Sequence, residues 1–336
     1  MLAAHYTSLG ENKVQCLLCP HQCVLKHGQT GVCRVRKNQR GKLVAEAYQL
    51  YSSMAFDPIE KKPLYHFYPG REILSVGSYG CNMRCQWCQN CEISQKGMSQ
   101  GIHSKHFTVQ QLYELACSRP ANVGIAFTYN EPSVAYETIM EVANYFSKRR
   151  LKTAMVTNGY FGQEALKDYL QIIDTFNVDV KAFNDKVHRK YTLAELSVVK
   201  ENLVTIYKSG RHLEVTCLIV PGVNDKEDEF VEFLNWYVHN LSDWVPLHLS
   251  RYFPHNLYQA PPTPEETLEK FAQIASERLK FVYMGNVGRS GYSDTHCPSC
   301  GIRLIERHGY NVRLVNANSD GSCASCSTPV FFCAKC

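Results

Sequence analysis

No apolar run in this chain approaches the roughly eighteen residues that a helix needs to cross a bilayer, which argues against a membrane span. The opening residues, MLAAHYTSLGENK, also lack the apolar central stretch of a secretory signal, so the protein is expected in the cytoplasm. There is no internal repeat and no low-complexity tract, and APPTPEE at 260–266 is the only proline-rich stretch, which reads as a connector. Between Asn12 and Ala45 acidic residues are missing altogether, while seven Lys or Arg are present. Arg34, Arg36, Lys37, Arg40 and Lys42 follow directly on a group of cysteines, so this segment should prefer an acidic surface. The formal charge of +5 is too mild to name a partner by itself.

Cysteine is what the chain has in abundance, with 16 in 336 residues. In a reducing compartment, clustered cysteines hold metal or do redox chemistry more often than they form disulfides. Three groups stand out: Cys16, Cys19, Cys23 and Cys33; Cys81, Cys85, Cys88 and Cys91; and Cys297, Cys300, Cys323, Cys326, Cys333 and Cys336. Cys117 and Cys217 stand alone in apolar segments and are expected to be small buried hydrophobes.

From Arg71 to Gly288, short β-rich apolar runs alternate with stretches of helical period. The runs are 72–78, 123–129, 152–158, 177–183, 213–220, 246–253 and 280–287. Helices are expected between them, one capped by Thr108 and another with Pro264 and acidic residues in its first turn. Such alternation calls for parallel strands with helical crossovers, in an open doubly wound sheet or a complete or partial barrel. Either way the active site gathers at the carboxyl ends of the strands. The loops there are chemically loaded: YGCNMRC, NEP, NGY, ND, PGVND and PHN. They should converge on the cysteine loop. Three regions follow: a basic cysteine-rich module over 1–60, a core over 61–290 and a cysteine-rich tail over 291–336.

Four thiolates close a zinc site or saturate an iron–sulfur cube, whereas three leave one iron open. Cys81-x3-Cys85-x2-Cys88, directly after the first β run, resembles the loop of the radical S-adenosylmethionine (SAM) enzymes. A zinc knuckle with Cys91 as fourth ligand is the competing reading, but zinc pairs usually come as two separated Cys-x2-Cys units. Cys91 is expected just outside the cluster. TYNEP (128–132), TNG (157–159), DVK (179–181) and VPGVND (220–225) are similar to the pyruvate formate-lyase activating branch. More narrowly, 57–70, 75–90, 247–254 and 283–288, with 16–36 and CPSCG at 297–301, resemble the AmmeMemoRadiSam-type enzymes.

The resemblance implies a partial (β/α)6 radical SAM barrel carrying a [4Fe–4S] cluster on Cys81, Cys85 and Cys88, the open iron chelating SAM. It gives Asn130 and Glu131 the methionine amino group, and sets Asn158, Asp179 and Lys181 along the SAM site, with Trp87 in the cysteine loop. It further implies a 5′-deoxyadenosyl radical that abstracts hydrogen from a protein or small-molecule substrate. The partners implied are an electron donor such as flavodoxin or ferredoxin and the protein partners of the AmmeMemoRadiSam system. His248, Arg251 and Tyr252, at a late strand end, are candidate substrate contacts, weighed evenly against local packing. The alternatives are a glycyl-radical-enzyme activase and, from another class, a metal-stabilised RNA-binding protein. The basic run lacks the interleaved aromatics of a base-stacking surface, which argues against nucleic acid.

Cys297-x2-Cys300 and Cys323-x2-Cys326, 22 residues apart around a hairpin pattern, fit a zinc ribbon, with iron as the lesser alternative. Cys16, Cys19, Cys23 and Cys33 suit either zinc or an auxiliary iron–sulfur cluster.

Overall fold

The computed structural model describes residues 1–97, 104–288 and 290–331, so Cys333 and Cys336 lie outside the described residues. At the amino end, β1 (Tyr6–Ser8), β2 (Val14–Cys16) and β3 (Val24–Leu25) form a small antiparallel sheet, followed by a hairpin of β4 (Arg36–Gln39) and β5 (Lys42–Ala45). Next come β6 (Leu50–Tyr51), β7 (Ser53–Pro58), β8 (Glu72–Gly77), the short α1 (Cys91–Ser94) and β9 (Lys105–His106), which pairs back onto β6. The core continues through α2 (Val109–Cys117), β10 (Asn122–Phe127), α3 (Tyr136–Ser147), β11 (Lys152–Thr157), α4 (Gln163–Ile172) and β12 (Thr175–Asp179). Then follow α5 (Asp185–Thr192), α6 (Leu196–Lys208), β13 (His212–Ile219), α7 (Glu227–Asn240), β14 (Leu247–Arg251), α8 (Glu265–Ser276) and β15 (Val282–Gly285). β16 (Thr295–His296), β17 (Arg303–His308) and β18 (Asn311–Leu314) close the chain as an antiparallel sheet.

The main sheet has 8 strands in the order β15-β14-β13-β12-β11-β10-β8-β7. All its neighbours are parallel except β7, which runs antiparallel along β8 at the edge. A doubly wound sheet reverses its strand order at a switch point. This one advances in chain order throughout, which is the winding of a barrel. β8 to β14 supply six strand–helix units and β15 adds a final strand. The result is the α/β partial barrel expected from the resemblance. Strands such as β10, buried at every position, are apolar on both faces because helices and core cover both sides.

The helix at Val109–Cys117 carries the full capping box, with Thr108 and Gln111 each bonding the other's backbone. Its last residue, Cys117, is exposed, which corrects the expectation of burial; at the helix end the side chain falls on the solvent face. Cys217, at the centre of β13, is buried as expected.

The flanking segments dock on this core. Arg36 of the basic run is buried, not on the surface, and donates to Glu137 on α3 at 2.9 Å. Arg307 of the tail donates to the Tyr65 carbonyl at 3.0 Å, and His66 bonds the Val330 carbonyl at 3.0 Å.

Candidate active site

Six strand ends of the barrel open onto one cavity of about 520 Å³. Cys81, Cys85, Trp87 and Cys88 reach it from the loop after β8, Asn130 and Glu131 from the turn after β10, and Asn158 from the end of β11. Asp179 and Lys181 follow from β12, Leu218 from β13 and Asn286 from the end of β15. Every SAM-site residue expected from the sequence therefore lines a single space.

The loop is held by polar contacts rather than regular structure. The Asn130 amide accepts from Ser78 N–H at 2.9 Å and donates to the Gly80 carbonyl at 2.9 Å, which fixes the approach to Cys81. The Asn158 amide donates to Asn82 Oδ1 at 2.9 Å and reaches Cys81 Sγ at 3.7 Å. Met83 N–H donates to Cys81 Sγ at 3.3 Å, and Cys88 Sγ lies 3.2 Å from Ser94 Oγ. The Trp87 ring packs against Tyr191 and Tyr258. Cys91 is turned elsewhere, 3.8 Å from His255 Nε2, and is not among the cavity-lining residues.

Glu131 is 3% exposed and accepts hydrogen bonds from Ser133 N–H at 3.0 Å, the Thr157 hydroxyl at 2.7 Å and Asn158 N–H at 2.8 Å. Burial still pushes its pKa up, so a cationic partner in the cavity would stabilise the charged form. Lys181 pairs with Asp179 at 2.9 Å. Burial works against its charge, but Asp179 and Cys85 hold it above the ordinary lysine range. Desolvation pushes the Cys81 thiol well up and the Cys85 thiol to about 12, which disfavours thiolates until a cation binds them.

Sequence reasoning missed several residues of the same wall. Lys62, 2% exposed, pairs with Asp57 at 2.7 Å and lies 4.5 Å over the Tyr129 ring, whose hydroxyl also donates to Asp57 at 2.7 Å. Tyr129 holds a left-handed φ of 73°, a strained backbone that aims the TYNEP turn into the cavity. Behind that wall Asn224, fully buried, donates to the carbonyls of two lining residues, Lys181 at 3.3 Å and Leu218 at 2.8 Å. The adjacent lysines of the 57–70 stretch and the VPGVND asparagine were visible as motif residues, but nothing in their spacing announced which partner each would meet.

A second cavity of about 330 Å³ adjoins the first, sharing Lys61, Asn286 and Tyr310 with it. His248 lines this space and bonds Glu214 at 2.6 Å. Arg251 and Tyr252 line neither cavity, which corrects their grouping with His248. Arg251 donates to the Thr263 carbonyl and pairs with Glu265, while the Tyr252 hydroxyl donates to the Tyr258 carbonyl at 2.7 Å.

Cys297, Cys300, Cys323 and Cys326 bring their sulfurs within 4.8 Å of one another, close enough to hold a metal ion. No helix among the described residues is long and apolar enough to cross a membrane.

A match to a known family agrees with this geometry. Residues 75–234 match the family model of the Radical SAM superfamily. An uncharacterized protein of Methanocaldococcus jannaschii, MJ0808, is 40% identical over 316 residues, covering 94% of this chain and 93% of that protein. The 4-hydroxyphenylacetate decarboxylase activating enzyme of Clostridium scatologenes is 28% identical over 118 residues, covering 33% of this chain and 38% of that protein. A solved domain of the pyruvate-formate lyase-activating enzyme from Bacteroides vulgatus is similar at 18% identity and a TM-score of 0.42, covering 48% of this chain and 99% of that one. Three thiols, that of Cys85 buried and those of Cys81 and Cys88 partly so, at a cavity with a carboxylate and an ammonium on its wall fit the [4Fe–4S] cluster and SAM that this membership carries. With its cysteine loop and cavity in agreement with the family match, the chain is an enzyme of the radical SAM superfamily.

Proposed function

We propose that this enzyme abstracts hydrogen from a protein or small-molecule substrate seated beside the SAM cavity, as a member of the AmmeMemoRadiSam type. Cys81, Cys85 and Cys88 would hold the [4Fe–4S] cluster, which when bound would supply the electron for reductive cleavage of SAM. The chain's own residues bind and orient. Glu131 takes the methionine ammonium, Lys181 takes the carboxylate, and Asn130 and Asn158 hold the loop and turn in register around them. Trp87 backs the cysteine loop. The observation that carries the reading is the convergence of the three thiols, Glu131 and Lys181 on one space of about 520 Å³.

The basic amino-terminal segment supports an acidic one-electron donor of the flavodoxin or ferredoxin class as partner, through exposed Lys26, Arg40 and Lys42. A second reading, activase of a glycyl-radical enzyme, is favoured by the likeness to the Clostridium scatologenes activating enzyme. Glycyl-radical electron paramagnetic resonance on a candidate partner separates the two. The first test is anaerobic reconstitution, reduction with SAM and assay for 5′-deoxyadenosine, with Cys85→Ala as control. Nucleoside from the wild type and none from the variant is expected. A fully reconstituted wild type that releases none would overturn the proposal.

A further inference from the structure

We infer that Cys16, Cys19, Cys23 and Cys33 hold a second iron–sulfur cluster, not zinc. All four are free cysteines, with Cys16 and Cys33 buried and the other two partly so. The chain folds around them as a unit. Cys16 N–H donates to the Cys23 carbonyl at 3.0 Å, and Val32 N–H donates to Cys23 Sγ at 3.5 Å.

The spacing of the sulfurs separates the two metals. A tetrahedral zinc with its thiolates at about 2.3 Å puts each sulfur pair about 3.8 Å apart. The carboxyl-terminal four meet this condition, with Cys297 and Cys326 sulfurs 3.5 Å apart and Cys300 and Cys323 sulfurs 3.6 Å apart. Among the described residues they are the only group of three or more His, Cys, Asp or Glu whose ligand atoms all lie within 4.8 Å. No three of the amino-terminal sulfurs are that close together, and neither are those of Cys81, Cys85 and Cys88. A cube binds each thiolate to a different iron and so spreads its ligands wider than one ion does. The amino-terminal four thus, like the three of the catalytic loop and unlike the ribbon four, are not gathered to the spacing that one tetrahedral ion requires.

Their position is also that of a redox centre. Arg84 donates to the Cys81 carbonyl at 3.2 Å and, with its other terminal nitrogen, to the Val32 carbonyl, so one guanidinium joins the two cysteine loops. His21 Nε2 bonds the Asn82 carbonyl at 2.7 Å. At Gly80 a side chain would meet the Cys33 carbonyl at 2.4 Å, and the φ of +83° already favours glycine. The two loops are in direct contact, and Cys19 lines a surface groove beside Gly162 and Glu164. The use of such a cluster as an electron carrier rests on the proposed function, but its existence does not.

The test is metal and sulfide analysis of the full chain after anaerobic reconstitution. The wild type should contain about eight irons and eight sulfides with one zinc, against about four irons and two zincs if the amino-terminal site binds zinc. In the combined Cys81→Ala, Cys85→Ala, Cys88→Ala variant, about four irons should remain, with the paramagnetic signal of a reduced cluster. Should that variant prove insoluble, Cys16→Ser with Cys33→Ser reports from the other side, by a twofold fall in iron. A triple variant that folds without iron, or a double variant with undiminished iron, overturns the inference. Because the triple variant lacks the catalytic site, its iron count stands or falls separately from SAM cleavage.

Discussion

Ser133, Thr157 and Asn158 all donate to the Glu131 carboxylate and engage both of its oxygens, so changes at this residue act on binding and on stability to different degrees. Glu131→Gln keeps an acceptor but removes the charge. It should weaken SAM binding by about tenfold or more, the worth of a charged hydrogen bond, and because its NH2 must face either the Asn158 or the Ser133 N–H it should also lower the melting temperature, by less than the alanine change does. Glu131→Ala leaves three donors facing no acceptor and should lower the melting temperature as well, by a destabilisation of about 1–3 kcal/mol. Titration calorimetry of SAM and thermal melts check both, and unchanged SAM affinity in the Gln variant would remove Glu131 from the ammonium site. Glu131 was legible because it sits at a strand end inside TYNEP. Its acceptor role toward Asn158 was not, since the two are brought together by parallel pairing of β10 and β11. The same limit hid Asp57, which gathers Lys61, Lys62 and Tyr129 from two different loops.

At the scale of elements, the parallel strands could be read because two-sided burial makes them apolar and compact, as in NVGIAF of β10. The edge strand β7 escaped: its sequence SMAFDP is only half-buried at most positions and lies in the segment assigned to the amino-terminal module. The helix α5 escaped as well, because DKVHRKYT is short and mostly polar, although Asn184 caps it by accepting from Lys186 and Val187 N–H at 2.9 and 3.3 Å. Pairing within the sheet yields a sharper prediction. A Cβ at Gly124 on β10 would stand 1.8 Å from the Lys152 carbonyl oxygen on β11, and neither strand can yield without breaking the ladder. Gly124→Ala should therefore destabilise the fold by about 1–3 kcal/mol or more, as core overpacking does. Gly291→Ala, where nothing lies within 4 Å, should stay within about 0.5 kcal/mol. Urea unfolding midpoints compare the two, and equal stabilities would mean that the strands part more freely than this register allows.

Across the whole molecule, the cysteine groups announced separate attachments, yet the carboxyl-terminal sheet supplies part of the cavity wall through Tyr310. That convergence was illegible because it runs through single long-range contacts, such as Arg307 to Tyr65 and His66 to Val330, which leave no periodic trace in the sequence. His66 makes the docking sensitive to pH. The Val330 carbonyl can only accept, so Nδ1 carries the proton, and Nε2, 2.6 Å from the Tyr283 hydroxyl, is the acceptor. Burial pushes the pKa of His66 down to about 3, against about 6.5 in the unfolded chain. Between those values the unfolded chain binds a proton that the native protein refuses, so stability falls as pH is lowered through this window. The slope contributed approaches about 1.4 kcal/mol per pH unit. Other histidines titrate too, so the comparison is between the wild type and His66→Gln, whose amide can still donate to Val330. Guanidinium unfolding at pH 7 and pH 5 with zinc held constant should show a smaller loss in the variant than in the wild type. Equal losses would mean that the ribbon docks without depending on a neutral His66.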